Sequence, residues 1–530
     1  MKMHSLASTL AIASAVTFAP ALQAIDNATL NWTMWGGDHT RNMVGVATNL
    51  PESFDPGKPL ADSEEIDPAT TKNVRWVAKL GSQTYGNPTI GGGRVYVGTN
   101  NQSPRDPNLS GDRSVVMAFD EKTGKFIWHF PIPKLGAGKV SDWEYLGICS
   151  SPHYEDERLY LLSNKCEVIA MDAAGMSTGN EGVQDELEYL AAEGQSKVEP
   201  ANPEILGDLL WRFDMIDECG VFPHNITSSS VLSHGENLFV TTSNGMDWSH
   251  VNIPSPMAPA LIVLNKEGEL VAEEMSGISA RLLHANWSSP TLVDVDGQSL
   301  VAFGAGDGFC YAFKPEPKDT PDGMALDEVW RFDCNPPEYR TDESGKTRRY
   351  ISYDGPSEII ATPVAYKGRV YVAIGQDPEH GEGIGNLVCI DAKGSGDITK
   401  TNEVWSYRDI GRSISTVSIQ DGLLYAGEYN GKLHCLDAET GKPYWVYDTG
   451  SVIWGSPLVA DGKVYIGNES GELHILRAGK EEKLLSKTEM GSPIYASPVV
   501  ANNVLYVATQ THLYALENQS TESGKASEAK

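Results

Sequence analysis

The clearest rhythm of apolar and polar positions lies in the last third of the chain, where one phrase recurs. It reads "STVSIQDGLLYAGEYNGKLHCLDAETGKPYWVY" near residue 417, "GSPLVADGKVYIGNESGELHILRAGKEEKLL" near 457 and "ASPVVANNVLYVATQTHLYALE" near 498. Val417, Pro457 and Pro498 stand about forty residues apart, the spacing of stacked supersecondary units. Each unit holds four short strand-like runs, as in Leu458–Val459, Val464–Gly467 and Leu473–Leu476, separated by Asp-Gly, Ser-Gly or Thr-Gly turns. Alternating runs with such turns predict antiparallel strands joined as a meander. A single unit of this kind cannot bury both of its faces, so the number of neighbours decides the architecture.

Earlier copies are longer but keep the same lead-in, a small polar residue usually followed by proline. It occurs at Asn87-Pro88, Ser151-Pro152, Ser229-Ser230, Ser289-Pro290, Thr362-Pro363, Thr416-Val417, Ser456-Pro457 and Ser497-Pro498. The fourth run carries Trp128, Trp211, Trp330, Trp405 or Trp445, and the third and seventh copies lack the tryptophan. The last copy stops at Leu516 after three runs, while an unattached fourth run, "NVRWVAKL", stands at Asn73 to Leu80 ahead of the first. The two fragments complete one another. Sharing one unit between the chain ends closes a ring and removes exposed sheet edges. The expected fold is all-β, an eight-bladed β-propeller of four-stranded antiparallel blades spanning residues 73–516, its last blade closed by the N-terminal strand.

Residues 25–72, rich in Pro, Asp and Gly, are expected to form an irregular arm, and residues 517–530 a disordered polar tail. Long insertions at 173–208 and 315–328 fall between third and fourth runs, the first with a short helical stretch around Asp185 to Ala192. Residues 1–24 read as a cleaved signal peptide: Lys2, an apolar stretch from Leu6 to Phe18, and Ala24 at the cleavage point. No later segment is apolar enough for a transmembrane helix, and no Cys follows the cleavage point to carry a lipid. The expected location is the periplasm or the cell exterior.

Charge narrows the partners. The formal net charge of -30 disfavours nucleic acid and anionic membrane surfaces and favours solubility. Seven cysteines leave at least one unpaired in an exported protein. Cys166, Cys310, Cys389 and Cys435 read as small buried residues sharing one repeat position, while a bridge between Cys149 and Cys219 stays open.

Strand order places candidate chemistry. If the first strand of each blade runs away from one face, the lead-ins and the second-to-third connections share that face. Its long connections belong to copies one, three and five, at Asn100 to Arg113, Asn244 to Pro259 and Gln376 to Asn386, and elaborated loops on one face mark a working face. The lead-ins contribute Tyr85, Glu144, His224, Asn225, His284, Asn286, Trp287, Glu358, Arg412, Trp454 and Tyr495. These could hold a planar anionic ligand between an Arg and a Trp, or a Ca²⁺ ion on Glu144, Asn225 and Glu358. Equally, the rings could simply plug the channel, the histidines could be hydrogen-bonded loop residues, and Glu358 and Arg412 could form a structural ion pair. Asp377-Pro378-Glu379-His380-Gly381-Glu382 carries metal-friendly side chains but reads as a solvated loop, and "GAGDGF" from Gly304 as a turn, because no helix follows it.

The phrase Ala118-x-Asp120-x-x-Thr123-Gly124-x-x-x-Trp128, repeated with Cys435 in the first place at Asp437, Thr440, Gly441 and Trp445, resembles the tryptophan-docking motif of quinoprotein alcohol dehydrogenases. Together with the repeat count it is similar to the PQQ-repeat propellers. That resemblance implies one of two things: a dehydrogenase of an alcohol, sugar or aldehyde using pyrroloquinoline quinone and Ca²⁺, or a cofactor-free binding propeller such as the outer-membrane assembly lipoprotein. The enzymes pair a calcium-binding Glu and Asn with a catalytic Asp from successive blades, and Glu144 and Asn225 could fill the first two roles. The adjacent-Cys ring, the catalytic Asp and a haem domain find no counterpart. The reading is therefore a binding or scaffold module with a protein, small-molecule or glycan ligand at the face bearing the long loops, with a divergent quinoprotein dehydrogenase as the alternative.

Overall fold

A computed structural model describes residues 30–380 and 383–519. The expected leader at 1–24 and most of the expected tail lie outside the described residues. Eight sheets follow one another round a ring, each containing a four-stranded antiparallel meander; in seven of them the innermost strand comes first in sequence, and the eighth takes its outermost strand from ahead of blade 1. Blade 1 comprises Thr89–Gly91, Arg94–Asn100, Arg113–Asp120 and Phe126–Pro133. Blade 8 comprises Val499–Ala501, Val504–Ala508, His512–Leu516 and, from the other end of the chain, Val74–Lys79. The last pairs antiparallel with His512–Leu516, so the ring closes as the sequence predicts.

Local chemistry explains the regularity. The hairpin between first and second strands turns on two residues in the left-handed region, as at Asp461-Gly462 (φ 51° and 67°) and Asp421-Gly422 (φ 53° and 78°). Both positive angles match the twist of the flanking strands, and Asp-Gly supplies them at little steric cost. In the fourth strand the register slips by one residue beside the tryptophan, and the indole then faces a small residue: Ala118 opposite Trp128, Ala170 opposite Trp211, Ala312 opposite Trp330. Cys389 and Cys435 take that small-residue place opposite Trp405 and Trp445. Cys310 instead faces Phe332, and Cys166 precedes its strand, so the four cysteines do not share one position. Cys149 and Cys219 are both free thiols.

Five of the outer tryptophans dock on the next blade through an indole hydrogen bond, while the Trp330 indole N–H is buried without a partner. The Trp76 indole donates to the Glu121 carbonyl and lies so close to Gly124 that a Cβ there would sit 2.5 Å from the ring. Trp128, Trp211, Trp405 and Trp445 repeat the bond to the Ala173, Lys266, Ala438 and Gly479 carbonyls. A glycine turn of one blade is thus the seat for the preceding blade's tryptophan, at Thr123-Gly124, Ala174-Gly175, Glu267-Gly268 and Thr440-Gly441, and the core is spread as layers between blades. The insertions extend this outer surface. Lys318–Thr320 and Gly323–Ala325, inserted in blade 4, add two strands to the outer edge of blade 3.

The arm has a definite structure that its composition did not announce. Backbone groups or side chains between Leu30 and Met43 bond to the innermost strands or their lead-ins in all eight blades, at Ile90, Tyr154, Val231, Pro290 with Leu292, Ala365, Ile419, Val459 and Asn502. Val44–Gly45 then runs parallel to Leu458–Ala460. At the centre, the buried Arg41 guanidinium donates to the carbonyls of Trp35, Val231 and Pro290. The arm stops the channel at one end.

Candidate functional site

Above the arm, one lead-in residue from each blade forms a girdle. The backbone N–H of Asn87 donates to Ser151 Oγ, Ser151 to Ser230, Ser230 to Ser289, Thr362 to Thr416, Thr416 to Ser456, Ser456 to Ser497, and Ser497 to Asn87 Oδ1. The small polar residue that marks every lead-in is therefore a ring-closing acceptor. Between blades 4 and 5 the Thr362 hydroxyl accepts from the Trp35 indole at 2.9 Å.

The girdle walls a cavity of about 490 Å³, with Trp35 at its base. One side is aromatic: Tyr85, Trp454 and Tyr495 pack on one another with ring centroids 5.0–6.0 Å apart, and Tyr429 meets Trp454 edge-on at 5.3 Å. Trp143, Ile226, Trp287, Ile360 and Ile414 complete the apolar lining. Asn225, Asp377 and Glu379 bring polar groups to it.

Beside this cavity, the lead-ins of blades 3 and 4 meet the long loops of blades 3 and 5. Isolated bridges Pro223↔Asn244 and Gly245↔Ala285 pin the blade 3 loop to both lead-ins. Gly245 permits the approach, because a Cβ there would stand 2.5 Å from that of His224 and 2.9 Å from that of Ala285. The junction collects four imidazoles. Ring centroids of His224 and His284 are 4.3 Å apart, of His250 and His380 4.3 Å, and of His284 and His380 4.7 Å. His224 Nδ1 contacts the Met246 carbonyl at 2.6 Å, and His224 Nε2 is buried without a hydrogen-bond partner. His284 Nδ1 faces Glu358 Oε1 at 3.3 Å, while His284 Nε2 lies 3.1 Å from His380 Nε2.

Burial sets the protonation of this junction. It pushes His224 down to about 3, His284 to about 4 and His380 to about 3, so all three rings are neutral at pH 7. It pushes Glu358 up to about 8 and Asp377 up to about 6. The Glu358 carboxyl is fully buried and accepts from the Tyr350 hydroxyl at 2.9 Å and the Ala285 N–H at 3.1 Å.

Of the residues expected from the sequence, Tyr85, Asn225, Trp287, Trp454 and Tyr495 line the cavity, and His224, His284 and Glu358 meet at the histidine junction. Asn286 clamps loops together, with its Nδ2 on the Asn244 carbonyl and its Oδ1 accepting from the Gly306 N–H. Arg412 lies over the Tyr429 ring, 4.2 Å from its centroid, and donates to the Asp377 carbonyl. Glu144 is exposed. His250 and Tyr350 were not singled out, and Asp377 and His380 stood out only within a metal-friendly segment read as a solvated loop. The segment beginning at Asp377, expected to be solvated, folds inward instead: Asp377 is buried and the 377–380 turn carries His380 onto His284. The available signal was that the segment lies in the long connection Gln376 to Asn386, on the face that also carries the lead-ins.

Comparison with known proteins agrees with the architecture. The sequence profile of outer membrane protein assembly factor BamB matches residues 66–131 and 327–526, half of the chain. No curated protein sequence matches. Among solved structures, BamB from Moraxella catarrhalis is 13% identical with a TM-score of 0.50, covering 84% of this chain and 98% of its own. The quinohemoprotein alcohol dehydrogenase from Comamonas testosteroni is also 13% identical, with a TM-score of 0.47, covering 93% of this chain and 82% of its own. Likeness at this identity speaks to the fold alone. With eight closed blades, the tryptophan seats and the profile match all in one chain, the protein belongs to the PQQ-repeat β-propeller family.

Proposed function

We propose that the protein is an exported binding module whose ligand enters the central cavity on the face bearing the long loops of blades 1, 3 and 5. The observation that carries this reading is the cavity itself. A stopped channel of about 490 Å³ with an aromatic wall, a hydroxyl girdle and a few convergent polar groups has the make-up of a small-ligand site. Rings such as Tyr85, Trp454 and Tyr495 suit a ligand with a flat face, either a planar anion or a sugar. On the rim, the blade 3 loop exposes Trp248, Val251 and Met257, which give a larger ligand or a protein partner an apolar foothold.

The residues present do not suit a calcium-and-quinone centre built on Glu144, Asn225 and Glu358. Glu144 is exposed, and Glu358 has both oxygens engaged inside the protein. No step is therefore routed through a quinone. The test is titration of the purified protein with a glycan panel and, separately, with pyrroloquinoline quinone, read by tryptophan fluorescence and calorimetry. Binding that Trp454→Ala weakens at least tenfold is the expected result. Binding unchanged by Trp454→Ala, or none at high micromolar ligand, would move the function off this cavity. Dye-linked turnover with bound quinone would establish the dehydrogenase instead.

A further inference from the structure

We propose that His224, His250 and His284 hold one divalent first-row transition-metal ion, zinc or a close neighbour, at the edge of the cavity. Among the described residues these three are the group whose ligating atoms all lie within 4.8 Å of one another. Donor atoms round a tetrahedral zinc stand about 3.4 Å apart, given Zn–N distances near 2.0 Å. Binding would draw the ligating atoms of the three imidazoles together from separations of at most 4.8 Å. His284 and His380 already stand near the tetrahedral spacing, with their Nε2 atoms 3.1 Å apart, so a fourth imidazole is at hand.

The surroundings turn ring nitrogens of His224 and His284 inward. His224 Nδ1, 2.6 Å from the Met246 carbonyl, must carry the hydrogen, because a carbonyl can only accept. Its Nε2 therefore presents a lone pair, and this atom is buried without a partner. A buried acceptor left unpaired costs free energy, and a bound cation removes that cost. At His284 the Glu358 carboxyl sits 3.3 Å from Nδ1, which turns Nε2 toward the same space. A carboxyl or carbonyl group behind the outer ring nitrogen is the arrangement that orients metal-bound histidines. Glu358 is itself held by Tyr350 and Ala285, so this outer support is rigid.

Backbone geometry adds an independent sign. His250 has φ 54°, left-handed for a side chain of its size, and this bend in the blade 3 loop delivers its ring to the cluster. Three neutral imidazoles favour zinc, copper, nickel, cobalt or iron over calcium and magnesium, which take oxygen donors.

The test uses the full chain, stripped by dialysis against a chelator and titrated with zinc chloride alone. One equivalent should bind, and cobalt(II) in its place should give a visible d–d spectrum that reports imidazole coordination. His224→Ala and His250→Ala should each weaken zinc binding roughly 100-fold. Glu358→Gln, which acts through His284, should weaken it about 10–100-fold. His434→Gln, remote from the cluster, should leave it unchanged. His250 stands in a loop outside the sheets, so its variant decides the matter even if a core variant misfolds. Well under one equivalent of zinc, or zinc affinity equal in wild type and both alanine variants, would overturn the proposal. No organic ligand is present in these titrations, so their failure leaves the cavity reading standing, and the converse holds.

Discussion

The Trp35 indole N–H reaches Thr362 Oγ1 at 2.9 Å, joining the N-terminal arm to the hydrogen-bonded girdle that encircles the channel. Seven girdle links run from a lead-in N–H to the next blade's side chain, and Trp35 supplies the contact at the blade 5 hydroxyl. The base of the cavity and the closure of the ring are therefore one piece of structure. Trp35→Phe keeps most of the ring's bulk and removes the N–H. It should cost about 1 kcal/mol, the net worth of one hydrogen bond, read as a lower midpoint in urea with unchanged m. Trp35→Ala should cost several times more and enlarge the cavity, since Phe/Trp→Ala losses run to about 3–5 kcal/mol.

Two glycines of blade 6 separate backbone strain from tryptophan docking. Gly441 and Gly450 both sit in the left-handed region, with φ 70° and 79°. A Cβ at Gly441 would lie 2.7 Å from the Trp405 ring, whereas one at Gly450 would meet nothing within 4 Å. Gly450→Ala should therefore show the conformational cost alone, about 1 kcal/mol. Gly441→Ala should lose about 1–3 kcal/mol more, because the Trp405 seat is overpacked. Equal losses in the two variants, measured by chemical denaturation, would mean that the seat contributes nothing to blade contact.

Arg41 is the centre of the arm, and its removal should loosen the whole stopper. It is fully buried, burial pulls its guanidinium down to about 9, and its donors satisfy the carbonyls of Trp35, Val231 and Pro290. Arg41→Met fills much of the volume but leaves those three acceptors unpaired, each at a cost of about 1–3 kcal/mol. Part of that loss should appear as local opening. Amide exchange across residues 30–50 should speed up before exchange in the outer strands does. Protection that falls uniformly through all blades would show instead that arm and ring unfold as one unit.

The eight lead-ins, the outer tryptophans and the split last blade were legible because each is written in residue types that do one job. Asp-Gly builds the hairpin, Thr-Gly seats a tryptophan, and a small polar residue receives a neighbour's N–H. The arm was not legible, since its contacts are made by backbone groups that any side chains would present, and Arg41 is a lone residue in an irregular stretch. The histidine junction was half legible. His224 and His284 stand out at the lead-ins, but His250 and His380 arrive from loops whose folding depends on a left-handed bend and on the burial of Asp377. Spacing along the chain carries no trace of either.

Two histidines far from the junction add to the acid limit on stability that the junction histidines also impose. Burial pushes both His129 and His512 down to about 4 in the folded protein, against about 6.5 in an unfolded chain. Their folded pKa values are depressed, so the stability linked to them is fully present above pH 6.5 and is lost as pH falls from 6.5 toward 4. In that window the unfolded chain binds protons that the folded one excludes, with a slope approaching about 1.4 kcal/mol per pH unit for each such histidine. Melting temperature should fall steadily between pH 6.5 and 4 in buffers of matched ionic strength. His129 is buried and packs edge-on to Phe126, with neither ring nitrogen hydrogen-bonded. His129→Phe should therefore retain the packing and flatten the slope by about one proton's worth. A slope identical to wild type would mean that His129 takes up its proton inside the folded ring.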